Sequence, residues 1–203
     1  MAVIHRTVLK PTKLELLTSW LPTRSWYRGG EGAPVLEKAG GFRLDDPQGE
    51  VGMEFMVVTD AAPGREPVTY LVPLTYRGAP LDGAEHALVG TMEHGVLGRR
   101  WAYDGRHDPV LVAQLLALFE GRVQAQDQNA SDVPDLDVVG SYSGEGPLSV
   151  DGDIAATLRL CRVLQPAPDG EVSAPRGTVG HVGGGWRLLD GNRARGVFAT
   201  LGG

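Results

Sequence analysis

Apolar and polar positions alternate through AVIHRTVL at residues 2–9, a run rich in β-branched side chains, and a period of two predicts a strand. The period then changes. After Pro11-Thr12, residues Leu14, Leu16, Leu17, Trp20 and Leu21 fall on one side of a 3.6-residue repeat that Pro22 closes, which predicts a helix. Strands are predicted again at 41–44, at 52–59 (GMEFMVVT), at 68–76 and at 95–103. Proline has no N–H to give to a ladder, so Pro73 places its strand at an edge or a bulge. The turn Pro63-Gly64-Arg65-Glu66-Pro67 joins the second and third of these strands as an antiparallel hairpin. His107-Asp108-Pro109 then supplies the cap and first turn of a helix over 109–121. Val110, Val112, Leu115, Leu116, Leu118 and Phe119 form its apolar face and Gly121 stops it.

The pattern weakens beyond that helix. Residues 22–41, with Trp26, Tyr27 and two glycine pairs, predict a structured surface loop, whereas 122–138 is rich in Gln, Asn and Asp, poor in apolar residues, and predicts an exposed polar linker. Alternation returns at 155–163. Segments 180–189 and 195–201 flank Asp190-Gly191-Asn192-Arg193, a hairpin turn. The chain therefore divides into an α+β domain at 1–121, the linker at 122–138 and a β-rich extension at 139–203. The extension has few large apolar side chains and would be marginal alone, which favours docking on the same sheet over a separate unit.

Composition narrows the picture. With 203 residues, 42% of them hydrophobic, the chain is long enough to bury a proper core, and 29 glycines with 14 prolines point to many turns and to more sheet than helix. The formal net charge is −6, and the basic residues Arg99, Arg100, Arg122, Arg159, Arg193 and Arg195 are scattered along the sequence. Both features disfavour nucleic acid and an anionic membrane surface as partners. The single cysteine, Cys161, excludes an intrachain disulfide and reads as a small apolar residue. No apolar block long enough for a signal peptide or a membrane span occurs, so the cytoplasm is the default location.

Candidate chemistry is sparse. The run Gly177-Thr178-Val179-Gly180-His181-Val182-Gly183-Gly184-Gly185 lacks the Lys-Ser/Thr and the helix of a phosphate loop, and reads as a bulged strand. No two of His5, His86, His94, His107 and His181 have metal-ligand spacing, so no metal or other cofactor is expected; His86 and His94 with Glu85 and Glu93 meet only if a hairpin brings them together. Glu54 alternates with Met53 and Phe55. It points to solvent on an open sheet face or, if that face is covered, forms an ion pair with Arg77 or Arg99. The strongest set is Trp26, Tyr27, Tyr76, Arg77, His94, Arg99, Arg100, Trp101 and Tyr103. Aromatic faces with arginines nearby suit a sugar or sugar phosphate, suit a protein partner equally, and otherwise serve as core.

The ordered series PTKLELL, GGFRLDDP, GEVGMEF, VPLTYRGAPL and EHGVLGRRWAYDG resembles the N-terminal cap of actinobacterial maltokinases and related sugar kinases, and stand-alone cap-like proteins more closely still. The resemblance covers about residues 2–120, and more loosely the tail GHVGGGWRLLDGNRARGVFATL. It implies a small curved antiparallel sheet with a few helices packed on it, here with an extra C-terminal hairpin. In the kinases such a cap packs on the nucleotide-binding lobe of lobes that carry a His-Gly-Asp catalytic loop and an Asp-Phe-Glu metal motif. The nearest matches in this chain are His107-Asp108-Pro109 and Leu189-Asp190-Gly191-Asn192, which lack the spacing and read better as a helix start and a turn. The expectation is therefore a non-catalytic, cap-like interaction module of cytoplasmic α-glucan, maltose or trehalose metabolism. Its partner would be a sugar-kinase or glucan-pathway protein, or a second copy. The alternative is a small sugar- or sugar-phosphate-binding protein or enzyme that uses the aromatic and arginine face.

Overall fold

A computed structural model describes residues 9–130, 132–151 and 156–202. In chain order these form β1 (Leu9–Lys10), α1 (Lys13–Trp20), β2 (Leu36–Leu44), β3 (Gly52–Asp60), β4 (Val68–Arg77), β5 (Leu88–His94), β6 (Gly98–Asp104), α2 (Pro109–Phe119), β7 (Gln126–Asp127), β8 (Val139–Tyr142), β9 (Leu158–Leu160), β10 (Thr178–Arg187) and β11 (Arg193–Gly202). The fold is α+β. A curved antiparallel sheet runs β1-β5-β6-β4-β3-β2-β7, and a second, smaller sheet runs β8-β10-β11-β9. Most of the strand predicted over 2–9 lies outside the described residues.

Both helices start where their caps place them. Thr12 and Glu15 form a reciprocal box at the head of α1: the Thr12 Oγ1 accepts from Glu15 N at 3.2 Å, and the Glu15 carboxylate accepts from Thr12 N at 2.7 Å. In α2, the Asp108 carboxylate accepts from Val110 N at 3.0 Å and Pro109 occupies the first turn. Gly121, at φ 68°, supplies the left-handed residue just past its end.

The two faces of the first sheet bury different partners. Met56, Val58, Tyr70, Val72 and Leu74 point one way, onto Leu17, Trp20 and Leu21. Met53, Phe55, Val57 and Leu71 point the other way, into a larger core with α2 and the inner side of the second sheet. The sheets meet through an aromatic seam. Phe42 stacks on Phe55 at 4.4 Å between centroids and faces Phe198 at 6.0 Å, which in turn packs on Trp186 at 6.1 Å. Gly140 lets β8 lie directly on the end of α2, because a Cβ there would fall 1.9 Å from the Leu118 carbonyl oxygen.

Several details depart from the reading by periodicity. The first strand after the loop is longer than expected, 36–44 in place of 41–44. The 95–103 segment is a hairpin turn followed by β6, and β5 before it was not anticipated, because its alternation breaks at a register shift between Leu88 and Gly90. The stretch 122–138 is not simply exposed: it adds β7 to the sheet beside β2 and buries Ala125 and Gln128. The final hairpin does not lengthen the first sheet. It builds the second one, with a bulge between Val182 and Gly183 in the glycine-rich run.

Pro73 lies in β4, which is interior to the sheet rather than at its edge. The pairing explains why it is tolerated. β6 accompanies β4 only over Leu74–Arg77, and beyond that point residues 162–164 take over the same side. There Leu71 N donates to the Arg162 carbonyl at 3.0 Å, and Leu164 N donates to the Thr69 carbonyl at 2.8 Å. The nitrogen of Pro73 points to that side, in the gap between the two partners, so no ladder bond is lost.

Candidate functional site

The nine residues singled out by type do not converge. Tyr27 donates its hydroxyl to Asp60 Oδ2 at 2.7 Å and packs on Tyr70. Arg77 grips Asp108 through Nε at 2.7 Å and Nη2 at 2.8 Å. Tyr103 is buried and accepts Leu81 N at 2.9 Å. His94 closes the β5–β6 turn by accepting Val96 N and Leu97 N, at 3.3 and 3.1 Å. Arg99 is exposed, pairs with Glu93 and lies 6.0 Å from the half-buried Trp101 ring, while Arg100 packs near Gly78. His86 meets His107 at 3.2 Å, not His94.

Glu54 corrects the solvent-facing expectation. It is 4% exposed, because α1 and Gln128 cover its face, and its partners are neither Arg77 nor Arg99. Lys13 forms a close ion pair with it, Tyr76 donates to Oε2 at 2.9 Å, and Gln128 Nε2 donates to Oε1 at 2.7 Å. The Lys13 ammonium also lies 5.1 Å from the Tyr76 ring centroid. Burial pushes the Glu54 carboxyl up, but the Lys13 charge and the three donors more than offset it and hold it below its ordinary 4.5. The Tyr76 hydroxyl is driven the other way, well above 10, by burial and by the Glu54 charge.

Three aspartates are committed in the same manner. Asp60 accepts from Tyr27, Arg65, Val35 N and Ala62 N, and burial together with this carboxylate raises the Tyr27 hydroxyl to about 12. Asp108 is fully buried, and although burial raises its carboxyl, the Arg77 hydrogen bonds and the Val110 N–H hold it below 3.8. Asp104 receives Arg162 Nη2 at 2.6 Å on both oxygens.

The lowered carboxyls make a pH prediction with a definite sign. A carboxylate whose folded pKa is depressed contributes stability that is complete above its unfolded pKa and is lost as pH falls through the folded one. Glu54 and Asp108 therefore contribute fully above about pH 4.5 and lose that contribution progressively below it. Thermal melts from about pH 7 down to about pH 3 are expected to hold a steady midpoint until the mid-4 range and then fall. A Glu54→Gln variant should show a shallower acid decline than the parent.

A cleft of about 480 Å³ between the segment after α1, the end of β6 and β9 gathers several charged groups. Trp26 is the one residue of the predicted set that lines it, with Arg24, Arg106, Arg159 and Arg162 around it and His107 beside them. Trp26 packs on Trp20 and Tyr70 at 5.8 and 5.9 Å, and the Arg162 guanidinium lies 5.0 Å from its ring. Arg159 and Arg162 are too far along the chain from Arg24 and Arg106 for any motif to announce them.

Residues 20–108 match the family model described as the maltokinase N-terminal cap domain. This part of the chain is a cap-like domain. It spans β2 to β6 and ends on the Asp108 cap of α2, so the second sheet, most of α1 and the whole of α2 lie outside the match. No protein of the curated set matches the chain. The cap supplies Arg24, Trp26, Asp104 and Arg106 to the cleft, and the residues after it supply Arg159 and Arg162. Among the described residues no helix is long and apolar enough to cross a membrane, and no group of three metal-ligating side chains assembles.

Proposed function

We propose that the chain is a non-catalytic, cap-like module of maltose, trehalose or α-glucan metabolism that acts by holding a partner: a sugar-kinase lobe on another chain, or a second copy of itself. The match to the maltokinase cap supports the metabolic link. The observation that carries the non-catalytic reading is the fate of the buried acids. A general acid or base needs an atom free to meet a substrate proton, and phosphoryl transfer needs carboxylates that hold a metal. Glu54, Asp60, Asp104 and Asp108 instead spend their oxygens on ammonium, guanidinium, phenol, amide and backbone donors.

With ATP, Mg²⁺ and maltose, trehalose or maltooligosaccharides, the protein is expected to leave ATP intact in a coupled ADP assay. It is also expected to sediment faster when mixed with a full-length maltokinase, or to sediment as a dimer by itself. Sugar-dependent ADP release that disappears in Glu54→Gln would overturn this reading, as would an unchanged monomer boundary in both sedimentation runs.

A further inference from the structure

The cleft beside Trp26 has an unbalanced charge. Four guanidiniums line it, and Asp104 is the one carboxylate among the described residues that does. Arg162 satisfies Asp104 through Nη2 alone; its Nη1 is buried and has no hydrogen-bond partner among the described residues. Among the described residues the Arg106 side chain reaches the Leu158 carbonyl alone, at 3.5 Å, and Arg159 donates to the Ala156 carbonyl at 3.1 Å. Arg24 lies over the Trp20 ring at 4.9 Å and donates to Thr23. Among the described residues, one ion pair therefore holds the wall of the cleft, and the remaining guanidiniums find only neutral acceptors.

This crowding disfavours the empty state. Burial lowers the Arg106 pKa, and the neighbouring charges of Arg159 and Arg162 lower it further, against the single opposing pull of Asp104. A set of like charges held together by the fold, in a chain whose net charge is −6, is a local feature and not a general basic surface. It is relieved by an anion that arrives with more than one charge and several acceptor oxygens.

We propose that this cleft binds the phosphate group of a small molecule. A carboxylate is matched by one planar guanidinium, as Asp104 already is. A phosphate offers three terminal oxygens and up to two charges, which suits Arg106 and Arg159, whose guanidiniums line the cleft without a carboxylate partner among the described residues. The volume, about 480 Å³, falls in the range of small-ligand sites and exceeds what a bare ion fills. Arg162 has a double part, since it fixes Asp104 and stacks on Trp26. The site is independent of the proposed kinase partner. It is built from the cap on one side and from residues after the cap on the other, so binding would tighten the contact between them.

Titration calorimetry on the full chain at low ionic strength tests it, with inorganic phosphate, glucose 1-phosphate, ATP without Mg²⁺ and neutral maltose as probes. Saturable heat is expected with at least one phosphate-bearing probe and none with maltose, and affinity is expected to fall as salt is added. Arg106→Gln and Arg159→Gln should each weaken binding by about tenfold or more, the usual effect of losing a charge-assisted hydrogen bond. Arg99→Gln, on the exposed β5–β6 hairpin, should leave binding unchanged. Arg159 is exposed, so its variant is expected to keep the parent's circular dichroism and melting point. Equal affinity for inorganic phosphate and glucose 1-phosphate supports the site with the free ion as its ligand. Tighter binding of the sugar ester or of ATP supports it with that source. Silence with every phosphate-bearing probe overturns the proposal, as does binding undiminished in both cleft variants. Binding to a single-stranded oligonucleotide with none to the small probes overturns it too.

Discussion

Asp108→Ala is expected to lower the free energy of unfolding by about 4 kcal/mol, a drop of roughly 8–16 °C in melting temperature for a chain of this size. The residue joins two jobs in one side chain. Its Oδ1 caps α2 by accepting Val110 N, and both oxygens receive Arg77 from β4, with the carboxylate fully buried and Arg77 largely so. The variant frays the first turn of α2 and also leaves the Arg77 guanidinium without its counter-charge beside the core, which is the costly half. Asp108→Asn separates the two effects: the amide oxygen still caps, and the remaining loss reports the charge. In the double variant Arg77→Met, Asp108→Ala, the stranded charge is gone, and unfolding in urea should show a recovery of part of the loss with an unchanged m-value. Equal stability of the parent and Asp108→Ala would mean that Arg77 finds water at no cost.

Glu54→Leu is expected to cost about 3–5 kcal/mol by the same logic in a different place. It strips the acceptor from the Tyr76 hydroxyl and the Gln128 amide, both held inside, and leaves Lys13 with only the Tyr76 ring. Glu54→Gln should cost about half as much, because an amide oxygen still accepts one of these donors while the ion pair is lost. Urea midpoints of the two variants check the ranking. A spectroscopic titration provides an independent readout, since removal of the Glu54 charge should bring the Tyr76 hydroxyl down toward 10, with burial alone keeping it above that value. If Glu54→Leu melts with the parent, the network merely lies alongside the core and does not hold α1 to the sheet.

Local rules were readable along the chain. Pro11-Thr12 announced the start of α1, and Asp108-Pro109 with Gly121 bracketed α2. The Pro63–Pro67 and Asp190–Arg193 turns announced the hairpins β3–β4 and β10–β11. These signals act over a few residues, through capping, backbone dihedral limits and side-chain period, so a one-dimensional reading reaches them. β5 and β7 were not readable, because each is short, breaks its alternation or sits in polar company, and owes its existence to the neighbour it pairs with.

The sequence by itself determined the α+β class, the ordered motifs that mark a cap-like domain, and the positions of the caps and turns. Only the tertiary structure decided what the polar side chains do. Gln128 lies 74 residues from Glu54, and Arg162 lies 58 from Asp104. Separations of that size are set by how the two sheets close on α2 and by residues 162–164 taking the side of β4 that β6 leaves free at Pro73. Charge scattered along a chain carries no sign of where it will gather. It gathers beside Trp26 because the backbone, following its hydrogen bonds and its apolar core, brings Arg159 and Arg162 there.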